Sequence, residues 1–342
     1  MRPGPRNVIT DVPGLLVGNA QDAALRSGTT VLMHESRAMT ASCAIHGGAP
    51  GTREVALLDP EKSVAGVDAI VLSGGSTYGL DAASGVVAGL RARKRGLALH
   101  TLHIPLVPAA IVFDLLNGGD KDWTDTPYPA LGRAAFEAAA PDFALGSHGA
   151  GCGALTGTMK GGLGSASYVM EDGTTVGALV VVNAVGAACT PGEKHFWAAP
   201  FEVDGEFGGL GPDPATGLGP GYVSQKLAAF AEHANTTIAI VATDATLTKA
   251  EARRMAIAAH DGIGRAVVPA HLPSDGDLVF AVSTGDRPTP EDQGGMQGLN
   301  PILPNLCHVA ALVLARAVAR GVYLAETQPG DIMPTWAALN RG

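Results

Sequence analysis

Five polar residues stand at the ends of apolar runs or in glycine-rich turns, where side-chain chemistry is most easily mounted. Asn183 closes the run 174–182, and Thr236 opens another, behind Asn235 and ahead of Thr237. Asp275 and Asp277 flank Gly276 just before a third run, and Lys160 stands alone between a methionine and two glycines. Strand ends are rigid mounts with loops beyond them, which suits catalytic groups. Each residue also has an ordinary reading: Thr236 as a strand residue, Asp-Gly-Asp as a turn, and Asn183 as a cap for its own backbone. Other chemistries leave fainter marks. The ten histidines are scattered and HExxH is absent, while His46, His148, His195 and His308 show no ligand spacing, so no metal site is expected. No GxSxG elbow occurs. The stretch GGSTYG fits neither GxGxxG nor GxxxxGK[ST] and reads as a close-packed turn, with no cofactor implied. Tyr78 within it is a candidate pocket residue, or a ring that is merely packed.

The elements that must carry these residues follow from the pattern. Residues 11–33 read as two short strands around a turn. Residues 70–72 form a buried strand, followed by the glycine turn and a small-residue helix over 80–92 that ends in basic residues and Gly96. Residues 117–127 are a polar loop. A turn at Glu171-Asp172-Gly173 leads into the very apolar strand 174–182, which puts Asn183 at its far end. Residues 201–221 form a Gly/Pro/Asp-rich loop of a length that is functional or flexible in compact domains, and a helix is expected over about 223–232. Strand 237–242 follows. Thr248 with Glu251 three residues on is a capping box, so a helix should run to about His260. Another strand covers 278–282, and a closing helix covers about 305–320. The order is mixed, with strands apolar enough to need cover on both faces. No internal repeat is evident.

Composition narrows the class. The 342 residues carry 23 Lys+Arg against 32 Asp+Glu, a formal charge of −9. That acidity argues against nucleic-acid recognition, which wants a basic surface. At 46% hydrophobic and 16% charged residues, the chain has ample material for a core and no signature of disorder. Its length allows two domains or one large α/β domain. Cys43, Cys152, Cys189 and Cys307 are far apart and form no CxxC pair, so neither a disulfide framework nor a thiolate metal site is expected. The apolar stretches are interrupted by Asn183, or by His308 and Arg316, and the N-terminal region lacks the apolar segment of a signal peptide. A soluble, cytoplasmic protein without a membrane partner is expected.

The ordered set of stretches resembles a known family. ITDVPGLLVGNA, LSGGSTYGLDAASGV, MKGGLGSAS, VGALVVVNAVG, NTTIAIVATDATLTKAEARRMA and the DGD turn together are similar to the L-aminopeptidase/D-esterase family, and within it to the 6-aminohexanoate oligomer (nylon) hydrolase branch. They span about residues 7–324. The resemblance implies an α/β fold, a four-layer αββα sandwich in a single domain, like the N-terminal-nucleophile hydrolases but with different connectivity. It implies self-cleavage just before a Ser or Thr, into a larger and a smaller fragment that stay associated. The matching point is Asn235-Thr236, giving residues 1–235 and 236–342. The family's other functional positions fall on Lys160, Asn183, Asp275 and Asp277. Serine-type relatives carry a Gly-Ser pair at the cut and Ser and Glu at the last two positions, so this sequence follows the threonine branch.

The roles that the resemblance implies have a physical basis. A threonine hydroxyl needs a base, and once Thr236 is N-terminal its α-amine, with a reference pKa near 7.7–8.0, can accept the proton. Asn183 would donate to the oxyanion, and Lys160 would stabilise that charge or lower the amine's pKa. Asp275 and Asp277 would orient the hydroxyl and amine and balance Lys160. Expected activity is hydrolysis of linear amides and oligoamides. The alternatives are an aminopeptidase acting on N-terminal, D- or β-amino-acid amides, an acyltransferase, and an inactive unprocessed relative. The implied partners are a small amide or short peptide substrate and further copies of the chain, as a tetramer of fragment pairs.

Overall fold

Alternation of side chains along the most apolar strands explains how they are covered on both faces. The computed structural model describes residues 1–215, 226, 235–288 and 300–341. Its first sheet contains β1 (Leu15–Asp22), β2 (Ser27–His34), β4 (Thr52–Arg53), β5 (Ala69–Ser73) and β8 (Ala109–Ile111), in the order β1-β2-β5-β8-β4. The second contains β3 (Thr40–Ile45), β9 (Gly162–Val169), β10 (Thr175–Asn183), β11 (Thr236–Ala245) and β12 (Leu278–Arg287), in the order β3-β12-β11-β10-β9. The pair β6 (Leu97–Leu99) and β7 (Leu102–Ile104) forms a separate antiparallel ribbon. The helices are α1 (Ala82–Ala92), α2 (Tyr128–Glu137), α3 (Lys249–Ala266), α4 (Leu303–Tyr323) and α5 (Trp336–Asn340).

Three hydrophobic clusters hold these elements in one domain. Ile70 and Leu72 of β5 join Leu179 and Val181 of β10, Ile238 and Ile240 of β11, and Phe280 of β12 in a cluster shared by the two sheets. The intervening residues of the second sheet, among them Val180, Ala239, Val241 and Val279, pack instead with α3 and α4. On the first sheet, Val31, Ala69 and Val71 pack with α1 and α2. Because side chains alternate faces along a strand, these uninterrupted apolar runs feed two cores at once. Each fully buried Ile or Leu contributes about 1.5–3 kcal/mol.

The expected elements at 11–33, 70–72, 80–92, 174–182, 237–242, 278–282 and 305–320 all form, several of them longer than the pattern suggested. Helix α3 starts at the expected box: Thr248 Oγ1 accepts the Glu251 N–H, and the Glu251 carboxylate accepts the Thr248 N–H at 2.7 Å. It then continues to Ala266, because Ile263 and Ala266 still face the core. Strands β3, β4 and β8, the ribbon and α2 were not anticipated; most are short, and β3 takes its place only through pairing with β12. The helix expected over 223–232 lies outside the described residues apart from Lys226.

Two features fasten the second sheet to its helices. A Cβ on Gly164 would sit 1.9 Å from the Ala317 carbonyl oxygen, so the glycines of β9 let α4 lie directly on the strand. Arg316, fully buried on α4, pairs with Glu206 at 2.5 Å and donates to the Ser167 carbonyl and to Asn7 Oδ1. That network anchors part of the long 201–221 loop, whose described portion ends at 215. Helix α4 is long and apolar enough to span a membrane by length and composition, but its buried residues pack into the core.

Candidate active site

The register of β10 against β11 sets Asn183 directly opposite Thr236. On the other side of β11, Asn235 bridges Asp275 in parallel just before β11 and β12 pair. Three neighbouring strand ends thus collect Asn183, Asn235, Thr236, Asp275 and Asp277, none more than 4% exposed.

Contacts at the 235–236 peptide are close. The Thr236 hydroxyl donates to the Asn235 carbonyl oxygen at 2.5 Å, and the Gly276 N–H donates to the same oxygen at 2.9 Å. A Cβ on Gly276 would lie 2.7 Å from Thr236 Oγ1 and 2.9 Å from the Ala49 carbonyl oxygen, so the turn approaches this closely only with glycine. Asp277 Oδ1 accepts the Thr237 N–H at 2.7 Å, while Oδ2 accepts the His271 N–H at 3.0 Å and meets His271 Nδ1 at 2.8 Å. Asp275 Oδ2 accepts the Leu272 N–H at 2.8 Å. Burial, and then the charge of Asp277, push the Asp275 carboxyl up to about 6. A carboxyl in that range can hold or release a proton near neutrality.

Asn183 is oriented by its partners. Its Oδ1 accepts the Leu155 N–H at 3.0 Å and Lys226 Nζ at 3.1 Å, and Nδ2 donates to the Phe113 carbonyl at 3.0 Å. With the oxygen side occupied by two donors, the amide presents its NH₂ toward Phe113, which lines the cleft. Lys226 is the site residue that sequence reading misses. It is buried beside Asn183 and donates also to the Leu155 and Asn183 carbonyls at 2.7 and 3.0 Å. Burial pulls it down to about 7, against the charges of Asp275 and Asp114. Three oxygens within 3.1 Å are all acceptors, so the contacts favour the ammonium while burial opposes it. One lysine in a segment read as a helix carries no signal that separates it from a surface lysine.

The Lys160 backbone bridges Leu155 beside Asn183, but the Lys160 and Tyr78 side chains make their contacts elsewhere. Lys160 Nζ donates to the Glu326 carbonyl at 2.9 Å and to both Asp331 oxygens at 2.9 and 3.0 Å, so its hydrogen bonds run to the segment after α4 and none goes to Thr236 or Asn183. A cleft of about 460 Å³ opens over Thr236, walled by Asn235, Ile111, Phe113 and, from the glycine turn, Ser76, Thr77 and Leu80. Tyr78 is not part of that wall; its half-exposed ring packs edge-on against Trp123, with centroids 4.8 Å apart.

Next to the acidic turn, the fold brings together His46, His260 and His271, three histidines that no sequence spacing linked. The rings of His46 and His260 stack at 3.7 Å, only 14° from parallel. Their in-plane lone pairs therefore point side by side instead of converging, which is not the arrangement of a metal ligand set.

A model of peptidase family S58 matches residues 7–333. An uncharacterized aminopeptidase of Mycobacterium tuberculosis is 43% identical over 98% of both chains. A 6-aminohexanoate-oligomer endohydrolase of Kocuria sp. is 32% identical over 84% of this chain and 78% of its own. The fold is similar to that of the L-aminopeptidase D-Ala-esterase/amidase of Ochrobactrum anthropi, described as a new variant among the Ntn hydrolase fold, with a TM-score of 0.67 at 22% identity over 97% of this chain and 90% of that one. With one family model spanning nearly its whole length and a relative this similar from end to end, the chain belongs to peptidase family S58, the L-aminopeptidase/D-esterase family of aminopeptidases and amidases.

Proposed function

We propose that the chain is a self-processing amide hydrolase whose nucleophile is Thr236. The observation that carries this reading is the Thr236 hydroxyl at 2.5 Å from the Asn235 carbonyl oxygen, at the floor of an open cleft, with the Gly276 N–H on the same oxygen. In the uncut chain, Oγ1 attacks the Asn235 carbonyl carbon and the Gly276 N–H supports the oxyanion. The C–N bond breaks as the Thr236 nitrogen takes a proton. The resulting Asn235 ester is hydrolysed by water, leaving residues 1–235 and 236–342. We assign to Asp275, whose carboxyl is pushed up to about 6, the part of taking the hydroxyl proton and passing it to the nitrogen.

After cleavage the Thr236 α-amine becomes the base for attack on an incoming amide. Asn183 Nδ2 donates to the new oxyanion, and Lys226 and the Leu155 N–H hold that amide in place. Lys226 takes the supporting part that the family resemblance gives to Lys160, whose contacts favour a structural part instead. Linear amides and oligoamides, of the kind named for the Kocuria relative, are the substrate class we assign. An aminopeptidase acting on N-terminal residues is the second reading, favoured by the name of the M. tuberculosis relative.

Two further parts of the proposal concern architecture. The three clusters in series support a four-layer αββα stack. On the β6–β7 ribbon, Leu97, Leu99, Leu102 and Ile104 are each at least 40% exposed and share one face, which supports association between copies. The deciding experiment is the intact mass of denatured protein. The expected result is two species matching 1–235 and 236–342, and a single species from Thr236→Ala with no turnover. A Thr236→Ala chain that is still cut and active refutes the nucleophile.

A further inference from the structure

Asp277 is a nearly wholly buried carboxylate beside a second buried acid, an arrangement that requires a compensating partner. One residue supplies it twice over: His271 gives Asp277 Oδ2 both its backbone N–H, at 3.0 Å, and its ring Nδ1, at 2.8 Å. To do so His271 adopts a left-handed backbone, φ 59°, which is costly for a residue with a side chain. The other oxygen of the same carboxylate holds the Thr237 N–H, adjacent to the nucleophile. Resting on the reading of Thr236 above, we infer that His271 is a positioning residue: its ring and backbone together fix the Asp277 carboxylate, and through it Thr236 at the head of β11.

The surroundings of His271 place the proton. His46, beyond β3, and His260, on α3, are in ring contact with it. His260 donates Nε2–H to the Ala44 carbonyl at 3.0 Å, and burial drives it down to about 3. Burial, and then the charge of His271, also lower His46. His271 goes the other way: burial opposes its charge, but the Asp277 hydrogen bond and charge, the His260 carbonyl and Asp275 lift it above its ordinary value. The charged and titratable groups facing the cluster are thus Asp275 and Asp277 from the turn, His46 from the β3 side, and His260 and Asp261 from α3. Among the three histidines, His271 alone is shifted toward its charged form, and it is the one whose ring meets Asp277 Oδ2.

The test has a spectroscopic arm and a rate arm. In the uncut Thr236→Ala chain at about pH 6.5, the ordinary midpoint of histidine, nitrogen-15 NMR should find His271 mostly protonated on both ring nitrogens. Its midpoint should fall when Asp277→Asn is added. A neutral ring with a bare Nδ1 overturns the inference, whatever the nucleophile proves to be. For rates, His271→Asn keeps the backbone donor and a side chain that tolerates the left-handed region. It should slow self-cleavage and kcat by roughly ten- to a hundredfold with KM little changed, as a misplaced nucleophile does. It should also abolish the loss of rate toward alkaline pH that accompanies deprotonation of His271. A purely structural histidine would lower Tm and folded yield while the folded fraction kept its kcat and its alkaline limb, and that result also overturns the inference. If Thr236→Ala is still cut, the nucleophile assignment fails separately, and the NMR arm alone decides the His271–Asp277 pair.

Discussion

Lys160 and Lys226 are both almost wholly buried, at 3% and 4% exposure, but they are accommodated in different ways. Lys160 faces the carboxylate of Asp331, with the Glu326 carbonyl as a further acceptor. Lys226 has no carboxylate in hydrogen-bond contact among the described residues and relies on carbonyl and amide oxygens, one of them Asn183 Oδ1. An ion pair offsets part of the cost of burying a charge and leaves the lysine committed to its partner. Neutral acceptors leave the charge strained by burial and couple it to whatever those acceptors do, here to the amide opposite Thr236. A buried lysine held by an acid is thus a fastening, and one held by the site's own carbonyl and amide is part of the site.

Substitutions can break or sharpen that contrast. The largest effect is expected from Lys226→Met, which removes one of the two donors on Asn183 Oδ1 and loosens the amide; kcat should fall by up to about 10²–10³, the loss typical of a missing oxyanion donor. Asn183→Ala should cause a loss of the same size, and the double variant little more, because both act on one donor. Additive losses in the rate assay would separate the two residues. Next comes Lys160→Met, which takes the ammonium from a partly buried Asp331 and should cost about 3 kcal/mol in denaturant unfolding. The low end of the usual range is expected because Arg26 remains 3.8 Å from the acid. Its effect on kcat of the folded protein should be smaller than that of Lys226→Met; the reverse order would return Lys160 to the site.

The smallest effect is on pH dependence. Burial pulls the folded Lys226 down to about 7 from its ordinary 10.5, so between those values the unfolded chain is expected to bind more protons. Stability contributed through this group therefore rises with pH in that window and is reduced below it. The wild type should gain on Lys226→Met by about 1 kcal/mol over the first unit above pH 7. Parallel stability curves for the two proteins would mean that the three acceptors hold the proton throughout.

The sequence by itself determined the long apolar strands, because burial on both faces leaves runs such as 174–182 without polar interruption, and polar residues such as Asn183 and Thr236 then stand out at their ends. It also determined the start of α3, whose capping box is a local hydrogen-bond pattern complete within four residues. It did not determine β3 or the short strands β4 and β8, which exist through partners far along the chain. The pairing of Asn183 with Thr236 and of Asn235 with Asp275 depends on strand register, which local pattern does not encode. The same holds for His271, an unremarkable histidine until the chain turns it onto Asp277, and for the two lysines. Burial, partner and charge state are properties of a side chain's neighbours in space, and only the tertiary structure chooses those neighbours.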